Sequence, residues 1–399
     1  MRRIPLKPLI IAVVAMLFQQ ALASMCGLVL PIAAPEMSAD TGLPASLIGA
    51  YWMAIYGVGF FASLGCGGYI QRFGPLRLSQ VALVLMGIAL MVSVSGSLWV
   101  IGGSCLFLGI GAAISTPCST AILAKISTPE KAPLVFSFKQ TGVPVGGIFA
   151  GLLVPFFTLN FGWQGAFVGC GMLCITYAAL LQPLRRVYDA ERSAAKGFDL
   201  KAIFVLLKSV VTVKAYRQLG LTLWAYVGVQ AIFGAFFVAY LVQELGHDLA
   251  LAGQIFAGAQ MASIVARVGW GWLAGRYVQP RLLLALIGLI IVAAAVATGS
   301  FTKDWSIALV TLVGVVYASS AVAFHGVLIA EIVRVLPPEE VSTMSGAILA
   351  FAMLGMMGYP ALFGIVLQLS GNYGTGFLLA AIPALIVSVA LFRPHGRDK

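Results

Sequence analysis

The sequence predicts an all-α integral membrane protein: twelve transmembrane helices in two pseudo-symmetric six-helix bundles. Three observations carry this. Of the 399 residues, 61% are hydrophobic and 9% charged, where a soluble domain carries roughly 25% charged residues. The mean hydropathy is +1.01. The apolar residues form long runs, unlike the short alternating segments of an outer-membrane barrel, and each run approaches the ~20 residues a helix needs to cross a bilayer. The longest polar stretch, Leu184 to Arg217, then divides the runs into six and six.

Taken in chain order, the spans fall at 8–33, 46–70, 78–95, 98–123, 134–158, 163–183, 219–243, 249–273, 281–301, 305–330, 341–367 and 373–392. The first run is too long for the apolar core of a signal peptide and reads as a first spanning helix. The domains expected are an N-terminal bundle at 1–184, a cytoplasmic linker at 185–217 and a C-terminal bundle at 218–399. Within the linker, Phe198 to Val213 is apolar with scattered charges, the pattern of a helix lying on the inner membrane surface.

Orientation follows from the basic residues. With the N-terminus inside, all but three of the 24 lysines and arginines fall in cytoplasmic segments. Lys303 lies in an outer loop, and Lys139 and Arg267 lie within spans. The positive-inside rule therefore places both termini and the linker in the cytoplasm of a bacterial inner membrane. The net charge of +11 reflects that orientation. Spread over seven segments, it forms no nucleic-acid surface, so no nucleic-acid partner is expected.

The six cysteines, Cys26, Cys66, Cys105, Cys118, Cys170 and Cys174, all sit in apolar runs. They make no CxxC pair and no zinc-ligand spacing. They read as small packing residues, and neither metal nor cofactor is called for.

An internal repeat connects the halves. Gly67-Gly68-Tyr69-Ile70-Gln71-Arg72-Phe73-Gly74-Pro75-Leu76-Arg77 follows helix 2. Gly271-Trp272-Leu273-Ala274-Gly275-Arg276-Tyr277-Val278-Gln279-Pro280-Arg281 follows helix 8. Gly, Arg, aromatic and Arg recur at a constant offset. A weaker echo pairs Trp163 and Phe167 with Tyr373 and Phe377. Repeats of this kind imply a substrate site between pseudo-symmetric halves near mid-membrane.

The Gly67…Arg72-Phe73-Gly74…Arg77 segment, its second-half copy and the six-plus-six layout resemble the major facilitator superfamily. The resemblance covers nearly the whole chain and implies two bundles that rock around a central cavity. It also implies a cytoplasmic gate built by Gly67, Gln71, Arg72, Gly74, Arg77, Gly271, Arg276 and Arg281. The family's acid before the first arginine is replaced by Gln71, and by Gly275 in the second copy, which predicts a weaker or neutral latch. Where drug exporters of the superfamily carry a helix 4 arginine, four residues before a Gly-x-Gly, this chain has Cys105. In helix 5 the proline of their Gly-Pro stands one place late, in Gly142-Val143-Pro144-Val145-Gly146-Gly147. By contrast, Arg267, four residues before Gly271, is similar to the helix 8 arginine of monocarboxylate transporters and the oxalate/formate antiporter group. That resemblance implies a contact between Arg267 and a substrate carboxylate.

The residues support the same chemistry independently. A charge at the bilayer centre costs about 2.5–3.5 kcal/mol. A carrier of neutral sugars gains little from two such cations, whereas an anion carrier gains a site. The planar fork of arginine takes a carboxylate bidentately. Lys139 and Arg267 each lie about 9 Å inside the cytoplasmic end of their spans at 1.5 Å per residue, a depth from which a long side chain can also snorkel to the headgroups. All acids fall in loops or at helix ends, so no embedded carboxylate is expected. Gln20, Gln230 and Tyr226 join the two cations as candidate substrate ligands. Gln19 is a further amide in helix 1. His325, with an unperturbed pKa of roughly 6.5, suits a proton relay.

The expected activity is secondary transport of a small organic anion, a carboxylate, by a monomer in contact with membrane lipid. It would be coupled to protons or to a counter-anion. The alternative in the same fold is an exporter of drugs or of neutral or amphipathic metabolites. A membrane-embedded enzyme would need a nucleophile, acid/base or metal constellation. The spans contain one histidine and no clear carboxylate. No Walker-type phosphate loop occurs.

Overall fold

The computed structural model describes residues 6–127, 132–189, 200–337 and 340–393. The helices are α1 (Leu6–Thr41), α2 (Leu47–Phe73), α3 (Pro75–Ser93), α4 (Leu98–Ile126), α5 (Ala132–Gln140), α6 (Gly142–Leu180), α7 (Arg185–Tyr188) and α8 (Leu200–Thr212). They continue as α9 (Lys214–Gln243), α10 (Leu249–Arg276), α11 (Pro280–Gly299), α12 (Ile307–Ala321), α13 (His325–Val335), α14 (Val341–Ser370) and α15 (Tyr373–Phe392). No strand occurs among the described residues.

Among the described residues, ten helical stretches are long and apolar enough to cross a membrane, and the bent helix α2 makes eleven. One of the ten, Val135–Tyr188, runs for 54 residues, far beyond the ~20 that one crossing needs. It is two spans. Phe161 and Gly162 leave the helical region inside α6, with Gly162 at φ 72°. The predicted twelve crossings are thus accounted for. Two of them are interrupted, between α5 and α6 at Thr141 and between α12 and α13 at residues 322–324.

The first interruption has a sequence cause. Pro144 has no N–H to offer the Gln140 carbonyl, so the helical ladder opens there, and Thr141 N donates back only to Phe138 O. The second contains no proline. There the carbonyls of the α12 end are taken by side chains from α10, described below.

The chain forms two compact units, Met1–Leu43 with Ala54–Phe198, and Pro44–Met53 with Asp199–Lys399. Within the first, α1 crosses α6 at small residues. A methyl group at Gly142 would stand 2.7 Å from the Leu17 carbonyl oxygen, and one at Gly146 would stand 2.7 Å from Ser24 Cβ. Gly87 of α3 and Gly171 of α6 touch backbone to backbone, each 2.7 Å from the other's carbonyl by the same measure. Such small-residue seams let helices approach without a hydrophobic drive between them. Within the second unit, Gly288 lies under the Tyr226 hydroxyl and Gly299 meets Gly374. The start of α2 packs there as well, Gly49 against the Pro360 carbonyl.

The weaker repeat does the same work twice. Trp163, at the start of the sixth span, donates Nε1–H to Asp40 Oδ2 at the end of α1 (2.8 Å). Tyr373, at the start of α15, donates its hydroxyl to Gln243 Oε1 (2.6 Å) and its backbone N–H to Glu244 Oε2 (2.7 Å), both at the end of α9. In each half, the first residue of the last span is pinned to the end of the first span. The linker helix α8 packs on α9 through buried Val210, whose Cγ1 would lie 3.0 Å from a methyl at Gly220. All six cysteines are buried and unbridged, with Cys26 and Cys174 sulfurs in contact at 3.2 Å.

Candidate functional site: two cations at two helix breaks

In the first unit, Lys139 is the penultimate residue of α5, two residues before the Thr141 break. It is 1% exposed. Its ammonium donates to Gln140 Oε1 at 3.3 Å, and no acid pairs with it among the described residues. Gln20 of α1 is close by along the chain path: its Cβ lies 2.9 Å from where a methyl at Gly142 would stand. Its Oε1 accepts a hydrogen bond from Thr116 Oγ1 of α4 at 3.0 Å. The neighbouring amide, Gln19, is fully buried with both polar atoms unpartnered.

In the second unit, Arg267 reaches from α10 to the other break. Its Nη2 donates to Val322 O at 2.8 Å. One turn on, Trp270 Nε1 donates to Ser319 O at 2.6 Å. Both acceptors are carbonyls at the C-terminal end of α12, where helix termination leaves acceptors unpaired and where a positive charge is favoured. Arg267 also has no acid partner among the described residues, and its Nε is enclosed with no hydrogen bond.

His325, the first residue of α13, places Nδ1 3.3 Å from the same Val322 oxygen. Its ring stacks on Phe324 at 4.4 Å. Tyr226 stands behind the break, ring edge-on to Phe324 at 5.3 Å. Its hydroxyl is 3.0 Å from Leu284 O and 2.9 Å from Ser388 Oγ, so its hydrogen bonds are made within the bundle. Gln230 lies on α9 with an enclosed and unpartnered Oε1. Sequence reasoning missed Gln260 of α10, 6% exposed with the same orphan oxygen. Its signal was an amide in an apolar run, seven residues before Arg267 and so on the same helical face.

Glu331, one residue past the predicted end of its span, is fully buried near the end of α13, which runs on to Val335. It accepts two hydrogen bonds from Arg334, at 2.8 and 2.9 Å. The arginine three residues on lowered the local hydropathy and disguised the helix as a loop.

The repeated loops are also resolved. Gly74 adopts φ 93° and ψ 143° as the N-cap of α3, and Arg72 lies over the Phe73 ring at 5.3 Å. A carboxylate from outside the loop caps the start of α3. Asp189 accepts from the backbone N–H groups of Leu76 (2.8 Å) and Arg77 (2.9 Å). Gly67, Gln71 and the Arg72 and Arg77 side chains are exposed. In the second copy, Gly271 and Arg276 are exposed, with Arg276 over Tyr277 at 5.6 Å. Arg281 is tied to Leu391 O (2.9 Å), Gln218 Oε1 (3.1 Å) and the Arg393 carbonyl.

Comparison with known proteins agrees with this architecture. The sequence profile of the Major Facilitator Superfamily matches residues 13–330. The MFS transporter asaE of Aspergillus flavus is 23% identical over 275 residues, 68% of this chain and 58% of that protein. The multidrug resistance protein MdtH of Proteus mirabilis is 26% identical over 176 residues, 43% of this chain and 40% of that protein. This chain thus spans less than two thirds of either. The hexuronate transporter of Bacillus subtilis is 24% identical over 394 residues, 91% of this chain and 89% of that one. Among solved structures, a bacterial homologue of the human lysosomal transporter Spinster, inward-facing and occupied, superposes with TM-score 0.70 at 16% identity over 95% of both chains. A POT family transporter in complex with a thioalcohol-conjugated peptide gives 0.73 at 13% identity, over 96% of this chain and 94% of that one. These structural likenesses concern the fold.

Proposed function

The chain belongs to the major facilitator superfamily and is a multi-pass membrane transporter, and we propose that it carries small organic anions, carboxylates above all, by alternating access across a bacterial inner membrane. The observation that carries this reading is Arg267. A part-buried guanidinium without an acid partner among the described residues is costly in a membrane protein, and a neutral substrate gives nothing back. One edge of this fork rests on Val322 O, while Nε has no partner. A carboxylate oxygen would supply the missing acceptor and the missing negative charge together.

Lys139 supports the reading from the first unit: a buried cation without an acid partner, also at a helix break. Broken helices in secondary transporters collect their ion and substrate sites at such interruptions. The hexuronate transporter, similar along nearly the full length of both chains, supports it too, because a hexuronate is a carboxylate.

Moving one negative charge inward against about 100 mV costs about 2.3 kcal/mol. Uptake therefore needs a co-transported proton, an exchanged anion or a steep gradient. His325, beside Arg267 at the break, is the candidate proton carrier. The alternative, export of drugs or neutral metabolites, draws on the similarity to MdtH, which covers less than half of this chain.

The test is ligand-dependent thermal stabilisation of the purified protein across carboxylates, sugars, amino acids and cationic drugs. A ligand at 100 times its Kd stabilises by about 2.7 kcal/mol. Stabilisation by carboxylates that vanishes in Arg267→Gln supports the proposal. Stabilisation by drugs alone, unchanged in that variant, replaces it with the exporter.

A further inference from the structure

Reading Arg267 as a carboxylate ligand leaves two amides of the same unit without a task. Gln230 and Gln260 each hold an enclosed Oε1 with no hydrogen-bond partner. Buried polar atoms are rarely left so.

Both amides are bracketed by the same two landmarks. On α9, Gln230 is three residues before Phe233, which stacks on Tyr317 (4.7 Å) and Phe256 (5.3 Å). It is four residues after Tyr226, whose ring meets Phe324 at the break. On α10, Gln260 is four residues after Phe256 and seven before Arg267, which holds Val322 O at that same break. Spacings of three, four and seven keep to one helix face. Each amide therefore occupies the interval between the aromatic stack and the α12–α13 break. The guanidinium belongs to this interval too, because long side chains on a helix lean back toward its N-terminus, here from residue 267 toward Gln260.

The three groups differ in what they lack. Arg267 Nε lacks an acceptor, and the two amide oxygens lack donors. A carboxylate offers acceptors only, so it answers the arginine and leaves the two amide oxygens unmet. A hydroxyl group offers a donor. We propose that the preferred substrate is a hydroxylated carboxylate, its carboxylate on Arg267 and its hydroxyl groups donating to the amide oxygens of Gln260 and Gln230. This rests on the anion reading above and narrows it. A site built to hydrogen-bond a substrate hydroxyl discriminates strongly against the analogue that lacks it.

The test measures equilibrium binding of acids in matched pairs of equal carbon count to the full-length protein in detergent: lactate with propionate, malate with succinate, gluconate with hexanoate. In at least one pair the hydroxylated acid should bind at least about tenfold tighter. Gln260→Met should bring that ratio to within about threefold by weakening the hydroxylated acid alone. Gln230→Met serves the same purpose should Gln260→Met fold poorly. Arg267→Gln should weaken both members of the pair. If no pair shows a preference for the hydroxylated acid, or if the amide variants weaken both members equally, the hydroxyl subsite is wrong while the anion reading stands. If none of the six acids binds, the anion reading fails and takes the subsite with it.

Discussion

Arg267 and His325 meet at one atom. The Val322 oxygen, at the break between α12 and α13, receives Arg267 Nη2 at 2.8 Å and faces His325 Nδ1 at 3.3 Å. A carbonyl has two lone pairs, so it can serve both. Arg267→Gln should abolish carboxylate binding while leaving folding intact, and Arg267→Lys should restore little of it, since a point charge cannot hold Val322 and a carboxylate in one plane. Thermal shift and uptake in vesicles read both. Near-normal uptake by a well-folded Arg267→Gln variant would make this arginine a helix-end cap with no part in transport.

The same shared oxygen bears on coupling. If His325 carries the proton, His325→Gln should retain substrate exchange between the two sides of a vesicle and lose accumulation driven by a pH gradient. Exchange and accumulation lost together would assign the histidine to the packing of the break, on the strength of its stack with Phe324.

Lys139 makes a prediction with two signs. Removing a buried charge that lacks an acid partner relieves a desolvation cost. Lys139→Met should therefore raise the melting temperature in detergent. The same change should weaken carboxylate binding by about tenfold or more, the scale of a charge-assisted hydrogen bond. A binding site maintained against stability predicts both shifts. A lysine that merely snorkels predicts neither, and unchanged binding in Lys139→Met would remove it from the site.

The two cations could be picked out from sequence because charge in an apolar run is conspicuous whatever its surroundings. Their settings could not. The break at Thr141 follows from Pro144, but the interruption at 322–324 has no proline to announce it, and its carbonyls are taken by residues of another helix. Glu331 was hidden because hydropathy averages over neighbours, and Arg334 erased it. The hydrogen bonds of Tyr226 were not readable either. Its partners, Leu284 O and Ser388, lie far along the chain, where no local pattern points. The twelve crossings were readable because bilayer thickness fixes their length.

Orientation has its own test. The near-exclusive placement of loop lysines and arginines on one side predicts cytoplasmic termini and a cytoplasmic linker. Reporter fusions after residue 399 and near Arg192 should both give cytoplasmic signals. A periplasmic signal at either site would invert the assignment.

Asp189 caps the start of α3 from outside the loop. Its carboxylate accepts from Leu76 and Arg77 N–H, donors that the first turn of α3 leaves unpaired, and a negative charge there also meets the favourable end of the helix dipole. The carboxylate can approach because Gly74 has no side chain: a methyl there would stand 2.5 Å from Asp189 Cγ and Oδ1. Gly74 is further bound to its role by a backbone at φ 93° and ψ 143°, a region that costs other residues about 1–3 kcal/mol. Gly74→Ala should therefore destabilise by at least about that amount. Asp189→Asn keeps one acceptor and should cost less, near the 0.3–1 kcal/mol of a helix-end charge plus about one hydrogen bond. In Asp189→Ala no carboxylate remains for the new methyl to strike, so adding Gly74→Ala to it should cost only the backbone strain. Melting temperatures of the wild type, Gly74→Ala, Asp189→Ala and their double variant form a double-mutant cycle. A coupling indistinguishable from zero would mean that Gly74 is needed for its backbone alone, and that Asp189 does not hold the start of α3 in the folded protein.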